Sequence, residues 1–381
     1  MANSIKYIGF YDKKEYEEEN RTYSLAATNK MDYICSSLVK AGYNVEVISP
    51  AWTRNETGYY KKRTTQIDDG ISLTVCPTIG ASNRITKLIR IFFSWLWLFF
   101  YLILNVKKNE KIIVYHSLWL AYPVYFAKII KRFKLILEIE EEYSVVIKQP
   151  LYLERIEKKI INLADMHIYC NDLMINLYEE LQKPYVVIYG IYNSEHYSEY
   201  INSSGKINII YAGIIDTVKA GAFNALHIAR YLPDKYELNI IGFGSDKDVE
   251  ILKEEIQIAN ENNECQIKFD GLKKGQEYIE YMMRMDVGLS TQKAQGEYLK
   301  FSFPSKILSY LSMGLRVVSS KIECVEKSQV GNLLYYYNED TPQSMAKTIE
   351  NIDFQNPYNS REKMKELDGN FIHDIKKLLQ R

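Results

Sequence analysis

The chain has 381 residues, 47% hydrophobic and 25% charged, the balance of a globular protein and, by length, of about two domains. Lys and Arg together number 48 and so do Asp and Glu, so no global field draws the chain toward nucleic acid. The five cysteines (Cys35, Cys76, Cys170, Cys265 and Cys324) stand far apart with no C-x-x-C pair, and IKYIGF near the start reads as a strand rather than a leader. A reduced, cytoplasmic protein is expected, with no cysteine zinc site and its thiols as small core residues.

Strand-like and helix-like segments alternate along the chain. IKYIGF, YNVEVIS, ISLTVC, KIIVYH, FKLILEI, DMHIYC and PYVVIYG, the last ending at Gly190, read as strands. Helical patterns fall between most of them, one marked by the stripe Met31, Ile34, Cys35 and Leu38. This predicts a doubly wound parallel sheet. KKEYEEEN, after the first strand, is expected to be a solvated loop at the carboxyl edge of that sheet. Arg21 follows it, either meeting a negative group or simply exposed.

Between Ile91 and Leu104 the chain reads IFFSWLWLFFYLIL, without a charge. Arg84, Lys87 and Arg90 precede it; Lys107, Lys108 and Lys111 follow. The segment is shorter than the roughly 20 residues a membrane span needs. It reads either as a core helix of the first domain or as a helix that packs on the sheet with one side and touches lipid with another. Trp95, Trp97, Phe99, Phe100 and Tyr101 are crowded together, and the apolar residues encircle the helix rather than forming one stripe. Aromatic residues flanked by bases favour the second reading, a peripheral contact with an anionic membrane surface.

NSEHYSEYINSSGK is polar, poor in branched residues, and reads as a linker. The alternation then restarts in INIIYAGII, YELNIIGFG, CQIKFDG, MDVGLST and LRVVSS, with GNLLYYY as a further short strand. The expected organisation is an α/β protein with one Rossmann-like domain over residues 1–195, a second over 196–355, and a charged, helix-prone tail over 356–381.

Ligands of such sheets bind beyond the carboxyl ends of the strands, and four loops of the second domain fall there. In YAGIIDTVKAG, Gly213 lets the chain pass close to a ligand and Lys219, near a helix start, suits phosphate; the plainer reading is a turn glycine and a surface lysine. IIGFGSD places Gly242 and Gly244 after a strand, short of a full G-x-G-x-x-G, which by itself is a tight turn. FDGLKKGQEY offers backbone from Phe269 through Gly271 to Leu272 to a base. In FSFPSKILSYLSMGLRVVSS, Pro304 suits the first turn of a helix, Ile307, Leu308 and Leu311 recur at helical spacing, and Gly314 suits its stop. That helix start, with Ser305 and Lys306, attracts phosphate; the alternative is an ordinary helix start with a surface lysine. In the first domain, VYHSLW carries His116 and LILEIEEEY carries Glu140, Glu141, Glu142 and Tyr143 to strand ends. His116 and Glu141, with Glu142 as alternate, are the candidates for acid–base work, although a lone histidine there is more often structural.

YAGIIDTVKAG, LNIIGFG, IKFDGL, MDVGLS and FPSKILSYLSMGLRVVSS, in that order, resemble the GT-B glycosyltransferases, most closely bacterial members related to glycosyltransferase family four, over nearly the whole chain. The resemblance implies two Rossmann-like domains facing across a cleft: the first binds the acceptor, the second binds the nucleotide sugar, and the tail helix crosses back to the first. It implies a hexosyltransferase that moves a sugar from a nucleoside diphosphate donor, a UDP-sugar above all, to a glycan or lipid-linked acceptor in bacterial surface polysaccharide assembly. Such an enzyme works at the inner face of the plasma membrane. The resemblance assigns the diphosphate to Lys219, Lys306 and the N–H groups around Ser305. The chain departs from the family where its phosphate arginine becomes Ile214 and where its two glutamates fall at Phe301 and Ser309, leaving Ser309 for the ribose hydroxyls. No D-x-D element of the kind that holds a divalent metal in another glycosyltransferase fold is seen, so a mechanism without metal or cofactor is expected. Two other readings stay open: a non-catalytic GT-B partner of another transferase, which the loss of both glutamates favours, and a sugar-nucleotide epimerase, which would need no acceptor.

Overall fold

The computed structural model describes residues 3–146, 148–192, 205–218, 220–291 and 303–381. The chain divides into two compact units, Met1–Ile191 with Gly369–Arg381, and Tyr192–Asp368.

In the first unit the strands are β1 (Asn3–Ile8), β2 (Tyr43–Ser49), β3 (Tyr59–Tyr60), β4 (Arg63–Asp68), β5 (Ile71–Val75), β6 (Thr78–Ile79), β7 (Lys111–Tyr115), β8 (Lys134–Ile139), β9 (Met166–Tyr169) and β10 (Tyr185–Val187). The helices are α1 (Leu25–Lys40), α2 (Arg84–Asn105), α3 (Leu118–Lys131), α4 (Tyr143–Val146), α5 (Leu151–Leu163) and α6 (Leu173–Leu177). Eight strands form one sheet in the order β10-β9-β8-β7-β1-β2-β5-β4. The interior strands of this sheet are apolar almost throughout, because helices cover both faces. Only β4 runs antiparallel, turning into β5 at Gly70, whose φ of +74° is open to glycine. RTTQID of β4 alternates half-buried and exposed residues that are polar except for Ile67, so its apolar signal is too weak to mark it as a strand.

The segment after β1 corrects the expectation of a solvated loop. Lys14–Glu19 form a 3-10 helix, and Glu19 is buried. Arg21 is buried too, neither exposed nor waiting for a ligand: its Nε pairs with Glu19 at 2.5 Å, and its Nη1 donates to the carbonyls of Ala51 at 2.6 Å and Cys76 at 2.8 Å. Among the described residues of KKEYEEEN, Glu19 alone turns inward, to the Arg21 guanidinium, while Glu17, Glu18 and Asn20 stay exposed as expected.

The apolar segment forms most of α2, which at 22 residues is longer than the uncharged run. Asn83 and Thr86 close a capping box at its start. Arg90, Ser94, Leu98, Tyr101 and Leu102 turn inward. The opposite side, Ile85, Leu88, Ile89, Phe92, Leu96, Phe100 and Leu104, is exposed. By length and composition α2 could cross a membrane, yet only 28% of its most apolar window is buried within the protein. A purely interior helix is therefore excluded.

The second unit holds β11 (Ile207–Ile215), β12 (Tyr236–Gly244), β13 (Gln266–Phe269), β14 (Val287–Ser290), β15 (Arg316–Ser319) and β16 (Leu334–Tyr336). Its helices are α7 (Gly221–Ile228), α8 (Asp246–Asn262), α9 (Gly275–Met282), α10 (Ser305–Met313), α11 (Glu323–Glu326) and α12 (Pro342–Glu350), with the start of α13 (Ser360–Gln380), which from Gly369 on belongs to the first unit. The sheet is all parallel in the order β13-β12-β11-β14-β15-β16. Ile209, Leu238, Ile240, Val287, Leu289 and Val318 build its core from the strands, against α7, α8 and α12. In α13, Ser360 donates to the Leu311 carbonyl of the second unit, whereas Phe371 stacks on Tyr33 of the first.

Leu98→Ala should cost about 2–5 kcal/mol, because it opens a cavity under α2. Leu96→Ala should change stability by less than about 0.5 kcal/mol, because its side chain is at the surface. Urea unfolding of both variants checks the orientation of α2; equal costs would refute it.

Candidate functional site

The carboxyl ends of β11 and β12 approach each other more closely than side chains allow. Gly213 lies opposite Gly242, and Ile215 opposite Gly244. A Cβ on Gly242 would stand 1.8 Å from the Gly213 carbonyl oxygen, and its φ is +150°. A Cβ on Gly244 would stand 2.2 Å from the Ile215 carbonyl oxygen. The Gly242 N–H donates to the Gly271 carbonyl at 2.9 Å, tying in the loop after β13, where Gly271 has a φ of +65°. Of the backbone expected at a base, Gly271 is thus bonded to the glycine pair, while Phe269 pairs with Ile240 in the sheet. Phe269 is half-buried and Leu272 exposed.

The helix expected after Phe-Pro-Ser-Lys is α10. Pro304 takes its N-cap with φ of −66°, and Gly314 its C-cap with φ of 86°. N–H groups of a first turn have no partner within the helix and carry partial positive charge. Lys306, in that turn, folds back over the sheet. Its Nζ lies 4.2 Å from the centroid of the Tyr211 ring, and a Cβ on Gly213 would come within 2.8 Å of it. Glycine at 213 therefore makes room for the ammonium. No carboxylate pairs with Lys306 among the described residues, and burial pushes its pKa down to about 8. The structure thus joins Gly213, Gly242, Gly271, Ser305 and Lys306 at one sheet edge. Lys219 lies outside the described residues, as does Phe301. Ser309, one turn along α10, shares a hydrogen bond of 3.0 Å with the Tyr278 hydroxyl.

In the first unit the candidate acid–base residues separate. His116 is 1% exposed. Its Nδ1 lies 3.0 Å from the Glu141 carbonyl, which can only accept, so Nδ1 carries the proton. Nε2 is 3.4 Å from Glu157, whose carboxylate accepts the N–H groups of Tyr143 and Ser144. Burial lowers the His116 pKa to about 4, so the ring is neutral at neutral pH. It joins the ends of β7 and β8 from inside. Glu141 is half-buried, and burial, with Glu140 beside it, raises its pKa. Glu142 accepts from Ser144 and Tyr178, each at 3.1 Å.

A charged cluster of which sequence reasoning named only Glu140 lies at the same end of β8. Glu138, fully buried, accepts from the Tyr7 hydroxyl. Lys30 from α1 pairs with Glu140, and its Nζ is 3.9 Å from Glu138. Burial and then Glu140 push the Glu138 pKa up. Burial works against the charge on Lys30, but Glu140 and Glu138 outweigh it and hold its pKa high. Two carboxyl groups around one ammonium at the end of a strand can hold and release a proton. The available signal was Lys30 itself, a charge directly beside Met31 in the inward stripe of α1.

No family model and no curated relative matches the chain. Solved structures match over nearly its whole length. A UDP-forming α,α-trehalose-phosphate synthase from Burkholderia xenovorans superposes with a TM-score of 0.63 at 10% identity, over 99% of each chain. An E. coli trehalose-6-phosphate structure bound with UDP-2-fluoro glucose gives 0.65 at 10% identity, over 98% of this chain and 99% of that one. HepE of Anabaena in complex with UDP gives 0.64 at 12% identity, over 99% of each. At such identities the likeness is one of fold: the chain has the GT-B fold, two α/β units each built on a Rossmann-like sheet.

Proposed function

We propose that this protein is a glycosyltransferase that moves a sugar from a nucleoside diphosphate donor, a UDP-sugar first, to a glycan acceptor. The observation that carries this reading is Lys306: a half-buried ammonium with no carboxylate partner among the described residues, at a helix start, over a strand end cleared by glycine. Departure of the nucleotide needs charge stabilisation on its diphosphate. A preorganised ammonium and first-turn N–H groups supply that without reorganisation. In this reading Lys219 adds a second positive charge, Ser309 meets the ribose, and the loop at Phe269–Leu272 meets the base. Residues 1–195 then take the acceptor and 196–355 the donor. The acceptor hydroxyl would lose its proton to the carboxylates after β8, Glu141 or Glu142, with His116 acting as a positioning residue through the Glu141 carbonyl. One observation favours a non-catalytic GT-B partner instead: the position of a family glutamate is filled by Ser309, already bonded to Tyr278. Release of nucleoside diphosphate that depends on added acceptor separates the two. Turnover of the nucleotide sugar without acceptor would point to an epimerase.

Titration calorimetry with UDP tests the site directly. Lys306→Ala should lose a charge-assisted contact of roughly 1.5–3 kcal/mol, and unchanged affinity would remove Lys306 from the site. The pH dependence has a definite sign. Below about pH 8 the free lysine is charged and ready for phosphate. Above it the protein must take up a proton to bind, so affinity should fall with rising pH, by up to about tenfold per unit. The Lys306→Ala variant should lose this slope.

We further propose that the acceptor is lipid-linked, in surface polysaccharide assembly, and that the protein sits peripherally at the cytoplasmic face of the plasma membrane. The exposed side of α2 supports this, as does its neighbour α3, which exposes Trp119, Phe126, Ile129 and Ile130. Arg84, Lys87, Lys107 and Lys108 are exposed around the two ends of α2. Each base near an anionic surface contributes about 1 kcal/mol. Co-sedimentation with phosphatidylglycerol vesicles should be strong at low salt, weak at high salt, and lost in Phe92→Glu. A wild-type chain that ignores such vesicles at low salt would end this reading.

A further inference from the structure

On one flank of α2 the exposed apolar surface deepens into a groove of about 410 Å³, within the roughly 300–1,000 Å³ range of small-molecule sites. Phe93, Leu96, Trp97, Phe100 and Leu104 line it, with Lys62 at its rim. Their spacing places them on one stripe of the helix. Trp97 stacks on Tyr101 with ring centroids 5.1 Å apart and planes at 20°, making a flat wall. Lys62 projects over the same wall, its Nζ 5.7 Å from the Tyr101 centroid. Lys61 and Lys62 are both exposed, and α2 contains no acidic residue.

A long apolar trough with a cation at its rim complements an amphiphile with a hydrocarbon chain and an anionic head. A second copy of this chain would bring its own Lys61 and Lys62 against these, a like-charge contact. We propose that this groove holds one hydrocarbon chain of an anionic lipid, with the head at Lys62, and that the chain is the tail of the acceptor. The last clause rests on the transferase reading above; the groove itself does not. The site differs from general adsorption of α2 on a membrane because it should bind a single soluble amphiphile and saturate.

The test uses the full chain and dodecyl phosphate below the concentration at which it self-associates. Calorimetry and tryptophan fluorescence should report saturable one-to-one binding. Dodecyltrimethylammonium, with the opposite head charge, should bind at least tenfold more weakly, and inorganic phosphate alone should not bind. Leu96→Glu should abolish binding and Lys62→Glu should weaken it at least tenfold. Both residues are exposed, so circular dichroism should show an unchanged fold. Binding that does not saturate, that survives Leu96→Glu, or that inorganic phosphate reproduces would overturn the groove. An acidic peptide that competes with dodecyl phosphate while vesicles do not would reassign it to a protein partner and overturn it as well. UDP titration of the same samples keeps the two proposals apart. UDP binding without dodecyl phosphate binding sinks the groove alone; the reverse leaves the groove standing and removes its role as an acceptor site.

Discussion

The second unit depends on a steric constraint, the contact between Gly213 and Gly242. Two strand ends run so close that a methyl group on either would strike something fixed or functional: a carbonyl oxygen at one, the Lys306 ammonium at the other. That approach leaves a concave strand edge, and the start of α10 hangs over it. A side chain at residue 213 would displace the Lys306 ammonium from this position. Its position over the Tyr211 ring then compensates in part for lost water, since a ring face attracts a cation. The result is a charge that is partly desolvated and lacks a carboxylate partner among the described residues, the arrangement on which the phosphate-binding proposal rests. The same positive charge paired within the fold would be stable and inert.

The first unit shows the opposite arrangement. Its buried polar groups contact one another: Arg21 pairs with Glu19 and donates to two carbonyls, Lys30 pairs with Glu140, and the Tyr7 hydroxyl donates to Glu138; Arg21 Nη2 and Glu138 Oε1 have no hydrogen-bond partner among the described residues. Removing one partner of such a buried pair would leave the other charge uncompensated. Each pairing here joins different elements, so each also fixes how those elements dock. Lys30 pins α1 to the end of β8, and Arg21 pins the segment after β1 to the ends of β2 and β5. The strand ends that carry His116 and Glu141 are held rigidly as a consequence, and His116 contributes from inside that frame.

Helix α2 combines both themes. Its inward side carries polar groups with specific tasks: Arg90 donates to the Thr53 carbonyl at 2.5 Å and the Tyr101 hydroxyl to Glu46 at 2.7 Å. These bonds set the rotation of the helix. The apolar residues left outside are then a consequence of that rotation. This exposed apolar surface, with bases near both ends of the helix, is the observation on which the membrane proposal rests.

Much of the fold was legible in the residues. Period-two and apolar runs marked the parallel strands, with β2, β11 and β12 matching to the residue, because a strand covered on both faces must be apolar. Pro304 and Gly314 bounded α10 through backbone geometry alone, and so placed Lys306 in a first turn. Local chemistry determined these features, since each depends on neighbours within a few residues. The tertiary structure alone decided the rest. The polar strand β4 exists because β5 offers it an edge to pair with. His116 is interior because the segment after β8 closes over it. Lys30, Glu138 and Tyr7 meet across more than a hundred residues of chain, a distance at which no spacing rule operates. Periodicity shows which residues avoid water, whereas the partner that each buried charge finds depends on which strands lie side by side.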